Sequence, residues 1–306
     1  MATTVSDASP TTPVRPGRPT GRRFRPGSVA AQVFMIVAAA LWILPIVFAL
    51  YVALRPYSQT AKYGYLAWPH GVTFQNFEDA WTQSDMLHFF LNSVRITVPA
   101  VIITLFLASC VAYVVAQIGF RFNVAMLILF TAGNLLPQQV LITPLYRLYL
   151  SVHVPTFLSS SGSLYNSYTG LVVINVSFQL GFCVFVLSNY MRTIPVDMYE
   201  AALLDGATLW TRFWRLTLPM CRPALAALAT LLTTWIYNDF FWAIVLMSSG
   251  DKRPVTSALA NLQGQYVTNQ NLIAAAALIA AIPTLIVYLL LQKQFVAGLS
   301  LGSTKG

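Results

Sequence analysis

PVDMYEAALLDGATLWTRFWRLTLP, residues 195–219, is a polar and amphipathic stretch set between two long apolar runs. Asp197 is placed to accept a helix-starting hydrogen bond, with Glu200 three residues on to reach back, which predicts a capping-box variant opening a short helix through Leu204. Gly206 then breaks that helix. Beyond it Leu209, Trp210, Phe213 and Trp214 recur at helical spacing while Arg212 and Arg215 point elsewhere, so a second short helix has one apolar and one basic face. Pro219 and Pro223 start the next apolar run. Composition alone suits a helix resting on a membrane surface. Its place between two spans equally suits a soluble partner.

The whole chain has 306 residues, of which 57% are hydrophobic and only 9% charged, against roughly a quarter charged in ordinary soluble domains. That balance makes it a membrane protein. The net charge of +9 does not gather into a patch of the kind that binds nucleic acid, but collects in a few segments between apolar runs and in the first tail. Cys110, Cys183 and Cys221 lie in or beside apolar runs without ligand spacing, so neither a disulfide framework nor a metal site is expected and no cofactor is implied. They read as packing residues. His70, His88 and His153 share no ligand spacing either and read as solvated.

Residues 1–27 are rich in Thr, Pro, Gly and Arg and should form a disordered basic tail. The following run, Val29 to Leu54, is too long for the apolar core of a signal peptide and reads as an uncleaved first span. About 20 apolar residues cross a bilayer. Ile96–Ile118, Phe122–Tyr146, Thr169–Met191, Pro223–Met247 and Leu272–Leu291 also meet that length, which predicts six spans and an all-α polytopic membrane protein. The divisions are a first span with its outer loop at 28–88, a core of five spans at 89–293 that holds the 195–219 segment, and a tail at 294–306. Lys and Arg decide the orientation. Arg15, Arg18, Arg22, Arg23, Arg25, Arg121, Arg192, Arg212, Arg215, Arg222, Lys293 and Lys305 share one side, against Arg55, Lys62, Lys252 and Arg253 on the other, which puts both termini and residues 195–219 in the cytoplasm.

Glu200-Ala201-Ala202, three residues, Gly206, nine residues and then Leu216-Thr217-Leu218-Pro219 resembles the EAA loop of binding-protein-dependent ABC importer permeases, with leucine where isoleucine is commoner. In that family the loop is a pair of coupling helices docked in a cleft of the ATPase subunit. The resemblance therefore implies that Glu200, Ala201, Ala202, Asp205, Gly206, Leu218 and Pro219 couple to an ATPase, the alanines allowing close approach, the acids offering charge and Gly206 the bend. More of the chain is similar to the carbohydrate-uptake branch: Phe74-Gln75-Asn76-Phe77, Asn92-Ser93, Pro137-Gln138-Gln139-Val140 with Pro144-Leu145-Tyr146, and Asn238-Asp239-Phe240. The tail Gln294-Phe295-Val296-Ala297-Gly298-Leu299, closing on Lys305-Gly306, resembles that of the smaller permease of maltose-type importers. One departure is Tyr237, where tryptophan is usual. The resemblance implies the type I importer permease architecture in a bacterial or archaeal cell membrane. It also implies the partners: a second homologous permease, an ATPase dimer, an extracytoplasmic sugar-binding protein and the surrounding membrane lipids.

Trp235, Asn238, Asp239 and Trp242 are spaced to share one face of a helix in the fifth span, and Asn175, Phe178, Gln179 and Phe182 repeat the pattern in the fourth. Aromatic planes among amides and a carboxylate suit a sugar path. The amides equally suit hydrogen-bonded glue between helices. Asp239 is a carboxylate eight residues before Met247, hence about 12 Å below the outer end of a continuous helix, where a charge needs water or a partner. No phosphate-cradling G-x-x-x-x-G-K-[ST] motif is present, so ATP hydrolysis would belong to a separate subunit, and no span interior pairs a serine with a base for catalysis. Two alternatives stay open: a proton-coupled carrier with Asp239 as the titrating group, although no convincing pair of broken helices is visible, and an importer for a polar relative such as glycerol phosphate.

Overall fold

The computed structural model describes residues 26–68, 70–118, 122–135, 137–262 and 269–300. The basic tail up to Arg25, Arg121 and residues 301–306, together with the side chains of 293–300, lie outside the described residues, and with them part of the charge count and the whole C-terminal resemblance. The chain falls into two units, Met1–Phe48 and Ala49–Gly306. Within the first, the described residues form most of α1 (Pro26–Ala53), an apolar helix that ends one residue before the expected Leu54.

The second unit opens on the last turn of α1, whose carbonyls have no partners within the helix. Two buried amides meet them. Asn76, on α3 (Gln75–Gln83) after the short α2 (Tyr57–Tyr63), donates to the carbonyls of Ala53 at 2.7 Å and Arg55 at 2.8 Å. Asn271 donates to those of Val52 and Arg55 at 2.8 and 3.0 Å. The Phe74–Phe77 signature is thus a helix cap for the first span.

The long pair at the centre is α4 (Met86–Gln117) and α7 (Tyr168–Met191), packed along their length. Ala100, Thr104, Ala108 and Ala112 recur every fourth residue on α4 and are fully buried, so the backbones approach closely. On α7 pack α5 (Asn123–Leu135) and, through the core, α6 (Ile142–Ser151). The third apolar run is thus not straight, because Asn123–Gly133 and Gln138–Ser151 meet at 87°. After α7 come α8 (Val196–Leu204), α9 (Leu209–Arg212), a turn of π-helix at Phe213–Thr217, α10 (Leu218–Met220) and α11 (Arg222–Tyr237). The chain then breaks, forms α12 (Phe241–Leu246) and α13 (Val255–Ala258), and closes on α14 (Gln270–Ser300), which packs on α11 and α3.

Four of the described helices are long and apolar enough to cross a membrane, or six spans if each of two bent pairs counts as one. The second pair, Leu209–Met220 with Arg222–Tyr237, is bent by 71° at Cys221. At the end of the bundle opposite residues 195–219, polar side chains hold the segment after α12. Asn92 donates to the carbonyls of Asp251 and Arg253, Ser93 accepts from the Val255 amide, and Asn166 pairs with Ser249. His88 is half-buried and bonded to the Asp251 carbonyl, a contact its sequence did not announce. Cys183 and Cys221 are buried and Cys110 half-buried, all as free thiols in packing positions.

Candidate functional site

Residues 195–219 form two short arms. The first, α8, ends at Leu204 as the glycine placement predicts, but its start differs: Pro195 occupies the N-cap and no side chain caps the helix. Asp197 lies within the first turn, where its charge complements the helix dipole, so the capping box with Glu200 does not form. At the far end, the Ala207 amide reaches the Ala202 carbonyl at 2.9 Å and the Gly206 amide the Leu203 carbonyl at 3.0 Å. This is a Schellman ending, with Gly206 at φ +75°, the left-handed region that suits glycine. Nothing lies within 4 Å of where its Cβ would be, so the constraint is torsional and not steric within this chain.

The second arm starts with a cap the sequence reading missed, Thr208, whose hydroxyl accepts from the Thr211 amide; the Thr-x-x-Thr spacing was the available signal. Phe213 turns inward against Tyr113 at 5.2 Å between ring centres, while Trp210 and Trp214 stay exposed. A regular amphipathic helix does not continue here, because the π-turn inserts an extra residue and rotates the helix beyond it. Of the predicted coupling residues, Glu200, Ala201, Asp205 and Gly206 are exposed, Ala202, Leu218 and Pro219 half-buried. Beside them Val196, Leu203, Leu204 and Leu209 present apolar side chains outward, Leu204 at 89% exposure. The result is an apolar ridge edged with acid.

The second predicted site lies on α7, α11 and α12. Trp235, Asn238, Asp239 and Trp242 do not share one helical face, because the helix ends at Tyr237 and restarts at Phe241. The depth reckoned along a continuous helix fails with it. At the break Asp239 acts locally: Oδ1 accepts from the Trp242 amide at 3.1 Å, Oδ2 from the Asn175 side chain at 3.2 Å, and its backbone carbonyl from Thr256 at 3.2 Å. The α7 face does meet this region. Phe178 stacks on Trp242 with ring centres 5.4 Å apart, and Phe182 packs on Trp235 at the same spacing. Asn238 turns away to the Thr234 carbonyl and to Thr284 on α14. Gln179 is half-buried without a hydrogen bond, and the buried indole N–H of Trp242 has none either. Among the described residues no group of His, Cys, Asp and Glu is arranged to hold a metal ion.

With this geometry in view, residues 100–300 match the family described as binding-protein-dependent transport system inner membrane component. The chain belongs to that family. As a member of it, the chain is a multi-pass membrane component of a transport system, and the match extends over α4 to α14, including both candidate sites. The chain is 30% identical to a probable ABC transporter permease protein of Pyrococcus horikoshii, over 84% of its own length and 91% of that protein's. It is 30% identical to the melibiose/raffinose/stachyose import permease protein MelC of Bacillus subtilis, over 78% and 83% of the two chains. To the diacetylchitobiose uptake system permease protein NgcG of Streptomyces coelicolor it is 32% identical, over 75% and 74%. Its fold is similar to a chain of a bacterial ABC transporter involved in the import of the acidic polysaccharide alginate, at TM-score 0.71 and 19% identity, covering 91% of this chain and 100% of that one. This family membership disfavours the proton-coupled carrier, even though two spans prove bent or broken where the sequence reading saw no such pair.

Proposed function

We propose that this family member is the permease subunit of an ATP-driven importer for a sugar or oligosaccharide. In this reading it forms the path with a second, homologous permease, receives substrate from an extracytoplasmic binding protein, and couples to a separate ATPase dimer through residues 195–219. The single observation that carries it is the exposed ridge of α8, where apolar Val196, Leu203 and Leu204 stand beside Glu200 and Asp205 on a helix closed by Gly206. Such a ridge has no use in water without a docking protein. Supporting the sugar are the similarity to the permeases MelC and NgcG, and a region where Trp235 and Gln179 offer an aromatic plane and an amide to hydroxyl groups. Asn175 and Asp239 hold the break and shape that region. The same similarity does not favour a phosphorylated polyol as the cargo. The charge count supports cytoplasmic termini.

ATP closing the ATPase dimer would displace α8, and the bend at Cys221 would carry that displacement into the fifth span. The test uses vesicles holding the complex purified through a tag on this chain, with labelled raffinose and diacetylchitobiose as probes. Uptake of either is expected with ATP enclosed on the coupling side and absent without it. Uptake driven by a proton gradient alone, or a complex without an ATPase, would overturn the proposal.

A further inference from the structure

We infer that the buried hydroxyl pair of Tyr199 and Thr217 is the positioning contact through which α8 drives the fifth span. The inference rests on the coupling role proposed above. Of the nine residues of α8, all described, only Tyr199 is buried; its neighbours Met198 and Glu200 face outward. One side chain therefore anchors this arm to the bundle. The phenol oxygen lies 3.1 Å from the Thr217 hydroxyl, which is itself fully buried.

The Thr217 hydroxyl has one hydrogen; when it donates that hydrogen to the Arg212 carbonyl at 3.3 Å, its oxygen is left to accept from the Tyr199 phenol at 3.1 Å. Burial pushes the phenol of Tyr199 above its ordinary range. Thr217 closes the π-turn, and its backbone carbonyl accepts from the Cys221 amide at 2.9 Å, where the 71° bend begins. A push on α8 thus reaches the bend through two hydrogen bonds in series. The receiving arm is braced on its other side, where the Tyr113 hydroxyl donates to the Leu209 carbonyl and the Tyr113 ring packs on Phe213. A threonine buried at this place is useful only while paired, because an unpaired hydroxyl in an apolar site is destabilising. The π-turn sets the rotation that brings it to Tyr199.

The experiment uses the tagged complex in vesicles, with Ser248→Cys at the exposed far end of the fifth span as a reporter for a fluorescent maleimide. Labelling with and without the reporter cysteine subtracts the native thiols. ATP hydrolysis is recorded beside the change in labelling rate caused by ATP with vanadate. Tyr199→Phe and Thr217→Val should each keep the ATPase bound and hydrolysing while shrinking that change about fivefold, the size of one neutral hydrogen bond. The double variant should be no worse than either single one, because both remove the same contact. Thr217→Ser, which retains the hydroxyl, should behave as wild type. A full labelling response in both single variants, additive losses, or losses that merely follow complex yield in all variants including Thr217→Ser would overturn the inference. If the unmutated chain brings down no ATPase, the coupling reading itself falls, and the inference with it.

Discussion

At Asp239 two functions compete for one carboxylate. Both its oxygens are engaged within the chain, one by the free amide at the start of α12 and one by Asn175 across the seam. That satisfies a charge that would otherwise be costly inside a bilayer. Asp239→Asn keeps an acceptor for the Trp242 amide but loses the charge and sets two amides against each other at Asn175. We expect a loss of about 1–3 kcal/mol, read as a lower thermal midpoint of the detergent-purified complex. Uptake per assembled complex should stay near wild type, and a large fall in uptake with unchanged thermal stability would return Asp239 to the path. The residue type was legible in the sequence as something needing a partner. Which partner was not, because Asn175 lies 64 positions away and only the packing of α7 on α12 selects it.

Among the elements, the α4–α7 seam decides how the bundle holds together. In a membrane the lipid is as apolar as the side chains, so close contact of small residues replaces the hydrophobic drive. Ala108→Leu would force a larger side chain into a site of 0% exposure and should destabilise the fold by about 1–3 kcal/mol. Phe106→Leu, on the exposed side of the same helix, should change thermal stability little. Equal effects from the two substitutions in the same melting assay would refute the seam as the source of stability. The four-residue repeat of Ala100, Thr104, Ala108 and Ala112 stood in the sequence, but the alanine-rich stretch from Ala274 to Ala281 did too. Periodicity names a small face and leaves its partner unnamed.

For the whole molecule, the two ends of the α4–α7 pair are built differently. One carries the ridge of α8, held by Tyr199. The other is laced by Asn92, Ser93 and Asn166 to the segment after α12, where the Asn92-Ser93 signature finds its physical reason in loop anchoring. If the basic residues orient the chain as counted, a single cysteine at Ser248 should react in intact cells with a reagent that cannot cross the membrane, and one at Asp197 only after lysis. Both positions are exposed. Reaction at Asp197 in intact cells would reverse the orientation.

That this chain is helical and membrane-embedded, where its apolar runs lie, and that residues 195–219, broken at Gly206, stand apart from them are all legible in the amino-acid sequence. Those properties follow from composition and local torsion: enough apolar residues in a row, and a glycine where φ must be positive. The break at Asn238–Phe240, the π-turn at Phe213–Thr217 and the pairing of Tyr199 with Thr217 come instead from tertiary packing. The fifth run reads as one helix because side-chain periodicity reports which face is apolar. Whether the backbone bonds continue depends on groups remote in sequence that meet the freed carbonyls and amides, here Thr256 on the Asp239 carbonyl and Asp239, held by Asn175, on the Trp242 amide.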